Sequence, residues 1–313
     1  MSDQAYAFRR TATGFTSRGR RCAATLYRPR TEAPPPVVIM AHGFAAEADF
    51  RLPAFAERFA AAGLAVLLFD YRGFGDSDGA VRQLVNPFEH LRDWRAAIAH
   101  ARTLDSVDHG RMALWGTSFS GGHVIVSAAR DPGIRAIVAQ VPFVDSLAVI
   151  PRLGPGYLLR ANLAALRDLG RKLTGRAPFR IPVVGRPGEL AVMNRPDSLP
   201  GYLALVPEGS RWDNGCPARI FFTFPLYRPV RYAPRVRCPA LVVLAEQDSL
   251  IPAAAVRAAA AKMPRAETVA LPCGHFDAYT GPMFERAAGA ETDFLVRRLA
   301  DGGEAVTPDR TAS

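Results

Sequence analysis

Apolar runs and amphipathic stretches alternate along most of the chain. An apolar run of about four to eight residues suits a strand buried on both faces of a sheet, and apolar residues at i, i+3 and i+4 suit a helix packed on one face. The pattern predicts strands at residues 22–29, 37–44, 65–71, 111–117, 136–143, 240–248 and 267–273. It predicts helices at residues 55–64, 86–101, 118–130, 161–173, 252–263 and 283–300.

This alternation predicts an α/β fold with a mostly parallel central sheet and helices on both of its faces. Residues 145–236 interrupt the alternation and are too many for a plain loop. We expect them to form an inserted cap over the carboxyl ends of the strands, where open α/β sheets place their sites. The expected organisation is an N-terminal segment at 1–20, a core at 21–144 and 237–300, the cap at 145–236, and a disordered tail at 301–313.

The composition is that of a globular protein with a large core. The chain has 313 residues, a length that fits one α/β domain with an insertion. Hydrophobic residues make up 49% of the chain, which is enough for a large core. A formal net charge of +10 would suit nucleic-acid binding, but the basic residues are scattered and form no dense block. Only Lys172 and Lys262 are lysines, so the near-exclusive use of arginine indicates a compositional bias. We therefore expect no nucleic-acid partner.

The cysteines and the apolar segments predict neither a metal site nor a membrane span. The N-terminus lacks the apolar stretch of a signal peptide, and no segment approaches about 18 uninterrupted apolar residues. We therefore expect a cytoplasmic protein. The choice between a monomer and a homodimer stays open.

The four cysteines are too few and too far apart in the chain for a disulfide scaffold or a zinc site. They are Cys22, Cys216, Cys238 and Cys273.

The segment DYRGFGDSDG at 70–79 partly matches a dinucleotide-binding loop. Its glycines follow a predicted strand, but their spacing is G-x-G-x-x-x-G, which is one residue too long for that fingerprint. Asp76 and Asp78 would also repel a pyrophosphate. We therefore expect a tight structural loop beneath the site, and no cofactor.

Candidate chemistry begins with LWGTSFSGGHV at 114–124, where an apolar strand meets a helix. The segment matches the nucleophile motif G-x-S-x-G around Ser118, except that Ser120 replaces the last glycine. A sharp strand-to-helix turn needs small residues two places away on each side, and Gly116 and Ser120 are both small. A serine at a helix start is also a common N-cap, so the motif alone leaves that alternative open.

A nucleophilic serine needs a histidine base and an acid that orients the base. Of the six histidines, His275 follows a late strand in a loop, as the chain order Ser…Asp/Glu…His requires. Asp248 lies in the loop that leaves the preceding strand and is the expected acid. The alternatives for the acid are Glu246, Asp145 and Asp277, of which the last is too close to His275 in sequence for the usual geometry.

Acyl transfer also needs two backbone donors for the developing oxyanion. One expected donor is the amide of Phe119, the residue after the nucleophile. The other is the amide of Phe44, because Gly43 lets the backbone turn after the first central strand. A simple strand-ending turn at His42-Gly43 is the alternative.

Together these segments resemble the serine α/β-hydrolase superfamily over about 20–145 and 237–300. The resemblance implies the α/β-hydrolase fold, with Ser118 as nucleophile, Asp248 as acid, His275 as base, and Phe44 and Phe119 as oxyanion donors. The branch is most similar to esterases and acyl-aminoacyl peptidase-like hydrolases. Ser120 is a departure, since many members have glycine there. The segments are HGF at 42–44, DYRGFGDSDG at 70–79, GTSFSG at 116–121, EQD at 246–248 and GHF at 274–276.

The expected function is hydrolysis of a small-molecule carboxylic ester through an acyl-enzyme. Two alternatives remain, a peptidase or amidase of the acyl-aminoacyl or dipeptidyl peptidase type and a non-catalytic ligand-binding member of the fold. Four aromatic residues of the cap are candidates for substrate binding, and the alternative is that they form the core of the cap itself. They are Phe221, Phe222, Phe224 and Tyr227.

Overall fold

The computed structural model describes residues 5–300. Its strands are β1 (Phe8–Ser17), β2 (Arg20–Pro29), β3 (Pro36–Ala41), β4 (Ala65–Phe69), β5 (Asp108–Thr117), β6 (Ala136–Gln140), β7 (Arg180–Ile181), β8 (Cys216–Pro217), β9 (Ala240–Ala245) and β10 (Ala266–Leu271). Its α-helices are α1 (Leu52–Ala61), α2 (Pro87–Ala101), α3 (Phe119–Ala128), α4 (Ser146–Val149), α5 (Pro155–Leu173), α6 (Ser198–Leu203), α7 (Ile220–Thr223), α8 (Ala253–Ala260) and α9 (Gly281–Leu299).

The main sheet has eight strands in the order β1-β2-β4-β3-β5-β6-β9-β10. The pairs β1–β2 and β2–β4 are antiparallel, and all pairs from β4 to β10 are parallel. Every residue of β4, β6 and β9 is buried, as expected for parallel strands covered on both faces. The predicted fold class, an α/β-hydrolase fold with a mostly parallel sheet, is confirmed.

Strand β5 shows how helices cover both faces of this sheet. Successive residues of a strand point to opposite faces. The Trp115 ring packs on Phe55 of α1, with centroids 5.1 Å apart, and its indole N–H donates to Glu291 of α9. Gly116, the next residue, faces α3, where a Cβ would lie 2.9 Å from a methyl of Val124. Helices α1 and α9 therefore lie on one face and α3 on the other.

Residues 8–17 join the main sheet, whereas the predicted organisation separates 1–20 from the core. Strand β1 pairs with β2 along its whole length, and Arg18 and Gly19 between them have φ values of 52° and 72°. Two consecutive residues of positive φ are typical of the tight turn of a hairpin. Half of the β1 residues are exposed, so β1 has no apolar run that would predict a strand. Phe15 packs in the core against Phe69, and Phe8 packs on Tyr27. The predicted tail at 301–313 lies outside the described residues.

A buried ion pair between Arg219 and Asp168 holds together the segment between β6 and β9, called the insert below (residues 145–236). The Asp168 carboxylate on α5 is fully buried and accepts hydrogen bonds from the Phe179 amide and from the amide and guanidinium of Arg219. These bonds connect α5 to the start of α7. Strands β7 and β8 pair in a separate two-stranded sheet. Among residues 5–300, no helix combines the length and apolar character needed to cross a membrane.

Candidate active site

Ser118 lies on the sharp turn between β5 and α3. Its φ of 53° and ψ of −117° fall in a region that non-glycine residues rarely adopt. Neighbouring backbone holds this conformation, since the Ser118 amide donates to the Gln140 carbonyl and its own carbonyl accepts from the Phe143 amide, both at 2.8 Å. The Ser118 side chain makes no capping hydrogen bond to α3. The N-cap alternative therefore does not describe this serine, and its hydroxyl points elsewhere.

The turn leaves no room for larger residues around Ser118. A Cβ on Gly116 would lie 2.4 Å from the Ser120 carbonyl oxygen, and one on Gly122 would lie 2.3 Å from the Phe143 carbonyl oxygen. Ser120 is fully buried. The steric argument for small residues at 116 and 120 therefore agrees with the structure.

Ser120 also has a hydrogen-bonding partner that the sequence does not predict. Its hydroxyl lies 2.7 Å from the Tyr71 hydroxyl, which accepts from the Trp94 indole N–H at 2.9 Å. All three side chains are buried, so the bonds satisfy polar groups that water cannot reach. No local motif indicates the contact, because the three residues come from three different elements.

The Ser118 hydroxyl points at His275. The Ser118 Oγ lies 3.0 Å from His275 Nε2, and His275 Nδ1 lies 2.6 Å from Asp248 Oδ2. A carboxylate only accepts, so Nδ1 donates and Nε2 is free to accept the serine proton. Asp248 Oδ1 accepts from the amides of Leu250 and Ile251, both at 2.8 Å. The structure thus brings together the three residues that the sequence predicted would act jointly.

The other candidate acids bond elsewhere. Glu246 forms an ion pair with Arg257, and Asp145 forms a bidentate pair with Arg228. Asp277 accepts from the Gly274 amide. Their carboxylates therefore stabilise neighbouring segments, whereas the Asp248 carboxylate orients the histidine ring.

Three further histidines lie in the core beneath Ser118. Burial lowers the pKa of His42 and of His123 to about 3, so both rings are neutral. His90 stacks on Tyr71 with ring centroids 4.0 Å apart, and burial lowers its pKa as well. These rings are packed core side chains, and the structure leaves His275 as the histidine that contacts the Ser118 hydroxyl.

The two predicted oxyanion donors flank Ser118. The amide of Phe119 opens α3, where the first N–H groups of a helix have no acceptor in a preceding turn. Gly43 lies against the nucleophile, because a Cβ there would be 3.0 Å from the Ser118 Cβ and 3.6 Å from its Oγ. The Phe44 and Phe119 rings pack edge to face with centroids 5.4 Å apart. Both backbone segments therefore border the space next to the serine.

A small cavity, partly open to solvent, adjoins Ser118 and His275. Its walls are mostly apolar and come from two parts of the chain. The core contributes Phe44, Phe50 and Leu52, and the insert contributes Met193, Tyr202 and Leu205.

The four cap aromatics predicted to bind substrate do not line this cavity. The Tyr227 hydroxyl lies 2.5 Å from His123 Nδ1, and its ring stacks on Phe143. Phe224 also packs on Phe143, with ring centroids 5.0 Å apart. Phe221 packs on Tyr157 of α5, and Phe222 is half-buried. The alternative, that they form packing within the insert and against the core, fits these contacts.

The glycine loop at 70–79 packs tightly beneath the site, as the sequence analysis expected. A Cβ on Gly75 would lie 2.2 Å from the Asp70 carboxylate, and one on Gly79 would lie 2.4 Å from the Gly73 Cα. Burial raises the pKa of Asp70 to about 7, and the Ala48 amide donates to it. Within residues 5–300, no group of three or more histidine, cysteine or acidic side chains is arranged to hold a metal ion.

A serine on a strained strand-to-helix turn, at the carboxyl ends of a mostly parallel sheet and bonded to a histidine and an acid, is the arrangement of an α/β-hydrolase. The chain belongs to that family, since the family model described as "alpha/beta hydrolase fold" matches residues 36–282.

Two relatives and a solved structure support the same assignment. The chain is 42% identical over 283 residues to the quorum-quenching protein AidA of Acinetobacter baumannii, which covers 90% of this chain and 93% of the relative. It is 32% identical over 161 residues to thiohydrolase aneE of Aspergillus aculeatus, and that match covers 50% of each chain. The solved structure of DcsB in complex with its substrate analogue has a similar fold, with a TM-score of 0.81 and 25% identity, and the match covers 94% of this chain and 100% of that chain.

Proposed function

We propose that the protein hydrolyses carboxylic esters through Ser118, His275 and Asp248. The observation that carries the proposal is the pair of hydrogen bonds from Ser118 Oγ to His275 Nε2 at 3.0 Å and from His275 Nδ1 to Asp248 Oδ2 at 2.6 Å. A serine hydroxyl is a weak nucleophile at neutral pH, so it needs a base within hydrogen-bond reach.

The reaction follows from these contacts. Ser118 Oγ attacks the ester carbonyl carbon while His275 Nε2 takes its proton, and Asp248 stabilises the imidazolium. The tetrahedral oxyanion accepts hydrogen bonds from the Phe44 and Phe119 amides. His275 then returns the proton to the leaving alkoxide, which leaves the acyl group on Ser118. A water molecule, deprotonated by His275, releases the carboxylic acid and restores the serine.

The apolar lining of the cavity favours a substrate whose apolar acyl group binds next to Ser118. Phe50, Leu52 and Leu205 supply apolar surface there, and burial of a methylene on such surface is worth about 0.8 kcal/mol. An acyl chain would therefore bind with its carbonyl at the polar end of the cavity.

A thioester is the second candidate substrate. The attack on a thioester carbonyl uses the same groups, and the resemblance to a protein named thiohydrolase favours it. The 42% identical relative is named a quorum-quenching protein, and this resemblance favours a quorum-sensing signal as the natural substrate.

The decisive experiment compares wild type with Ser118→Ala on p-nitrophenyl esters, acyl thioesters and aminoacyl anilides. We expect loss of ester turnover by at least about 10³-fold in Ser118→Ala. Ser127→Ala is the matched control, since Ser127 is also buried on α3 and should leave the rate unchanged. Wild-type turnover by Ser118→Ala would refute the proposal, and faster turnover of anilides than of esters would favour a peptidase. Failure of a fluorophosphonate probe to label Ser118 would favour a non-catalytic protein.

A further inference from the structure

The loop that bears the Phe44 amide, residues 43–48, is held from the core by His42. His42 Nδ1 lies 3.0 Å from the Gly43 carbonyl oxygen. A carbonyl only accepts, so Nδ1 carries the proton. The C=O and N–H of a trans peptide point in opposite directions, so this bond directs the N–H of the Gly43–Phe44 peptide away from the His42 ring.

Two side chains of the insert hold the next two carbonyls of the same loop. The Tyr202 hydroxyl donates to the Phe44 carbonyl at 2.9 Å, and the Trp212 indole N–H donates to the Ala45 carbonyl at 2.7 Å. Ala45 has a φ of 52°, a conformation that costs free energy unless its surroundings impose it. With the peptides on both sides of Phe44 fixed, the direction of its amide depends on Tyr202 as well as on His42.

The same part of the insert contacts the loops of the acid and the base. A Cβ on Gly201 of α6 would lie 2.5 Å from the Phe276 ring, next to His275. Asp197, which precedes α6, accepts from the Ser249 hydroxyl at 2.6 Å, next to Asp248. Helix α6 and the residue before it therefore contact the loops of the oxyanion donor Phe44, of the acid and of the base.

We propose that Tyr202 and Trp212 are positioning residues for the oxyanion hole, so that the hole is complete only while the insert is packed on the core. The inference rests on the proposed function, because it concerns the donor that stabilises the oxyanion of Ser118 chemistry. Neither side chain exchanges a proton with substrate; each stays bonded to its carbonyl while the Phe44 amide meets the oxyanion.

The test is Tyr202→Phe, which keeps the ring in the cavity wall and removes only the hydroxyl. Tyr157→Phe is the matched control, because the Tyr157 hydroxyl donates to the Ala191 carbonyl at 2.7 Å inside the insert and Tyr157 is also buried. With p-nitrophenyl acetate we expect kcat of Tyr202→Phe to fall by about 10-fold or more, since loss of one oxyanion donor costs about 10²–10³-fold. KM and the pH of half-maximal rate should stay those of wild type, because His275 and the cavity wall are intact.

Trp212→Phe provides a second variant in case Tyr202→Phe does not fold, since it keeps an aromatic ring and removes the N–H that holds Ala45. It should also lower kcat with KM unchanged. A kcat within twofold of wild type in the folded variants would overturn the inference. An equal loss in Tyr157→Phe would overturn it too, because the effect would then reflect general loosening of the insert.

The experiments distinguish failure of the proposed function from failure of the positioning role of Tyr202 and Trp212. Wild-type protein that neither turns over esters nor reacts with a fluorophosphonate would refute both. An active wild type and an inactive Ser118→Ala, together with unimpaired Tyr202→Phe and Trp212→Phe, would retain the proposed function and overturn only the positioning role.

Discussion

The two sides of the cavity at Ser118 are built in different ways. On the core side, Ser118, Asp248 and His275 follow the ends of β5, β9 and β10, three neighbouring or nearly neighbouring parallel strands. On the insert side, Met193 lies between β7 and α6 and Leu205 lies just after α6, and neither follows a strand of the main sheet. The core side needs only strand order to bring its residues together, whereas the insert side depends on long-range contacts.

This difference explains what a sequence pattern can locate. The carboxyl ends of parallel strands meet at one edge of a sheet, so a residue just after a predicted strand has a known position. A residue in the insert does not follow a strand of the main sheet, so the sequence pattern does not give its position. The chemistry of the site is therefore specified locally, and the shape of the space beside it is specified by packing.

The largest effect that would test the core side is expected from Ser120→Leu. The leucine would enter a fully closed space beside Gly116 and Tyr71, so we expect destabilisation by about 3 kcal/mol and loss of most activity. Ser120→Ala removes only the bond to the Tyr71 hydroxyl and should cost about 1 kcal/mol while turnover stays close to wild type. Urea denaturation and ester assays measure both. An active and stable leucine variant would contradict the steric account of the turn.

An intermediate effect is expected on the insert side from Leu205→Trp. The larger ring would fill part of the cavity, so kcat/KM for p-nitrophenyl octanoate should fall by about 10-fold relative to the acetate. Leu163→Trp is the control, because Leu163 is 57% exposed on α5 and does not line the cavity. If the ratio of the two rates is the same in all three proteins, the insert side does not bind the acyl chain.

The smallest effect on turnover is expected from Glu291, a buried carboxyl group of the core that affects stability and its pH dependence. Burial raises the pKa of Glu291 from 4.5 to about 8, so between these values the folded chain holds a proton that the unfolded chain releases. The free energy of unfolding therefore falls as pH rises from about 4.5 to 8. Glu291→Gln removes this titration and keeps an acceptor for the Trp115 indole.

As pH rises from 5 to 9, the Tm of wild type should fall by a few degrees relative to the Tm of Glu291→Gln in thermal melts. The other buried titratable groups are the same in both proteins and cancel in the difference. Melting curves that shift in parallel with pH would show that Glu291 does not titrate in this range.

The sequence predicted most strands to within a few residues, and the deviations have local causes. The strand predicted at 136–143 ends at Gln140, because Val141 has a φ of 37° and Pro142 has no N–H for a sheet bond. Strand β1 was missed because an exposed edge strand needs no apolar run. In both cases backbone conformation or backbone pairing determines the strand, and the apolar pattern used for the prediction does not contain that information.

By itself, the sequence determined the α/β fold, most strands of the main sheet, and the positions of Ser118, Asp248 and His275 at the strand ends. Each of these follows from apolar periodicity or from a motif within a few residues. Only the tertiary structure decided which part of the insert faces the site and which of its aromatics pack elsewhere. Tyr202 reaches the Phe44 carbonyl across 158 positions of the chain, and no local pattern encodes a contact between residues so far apart.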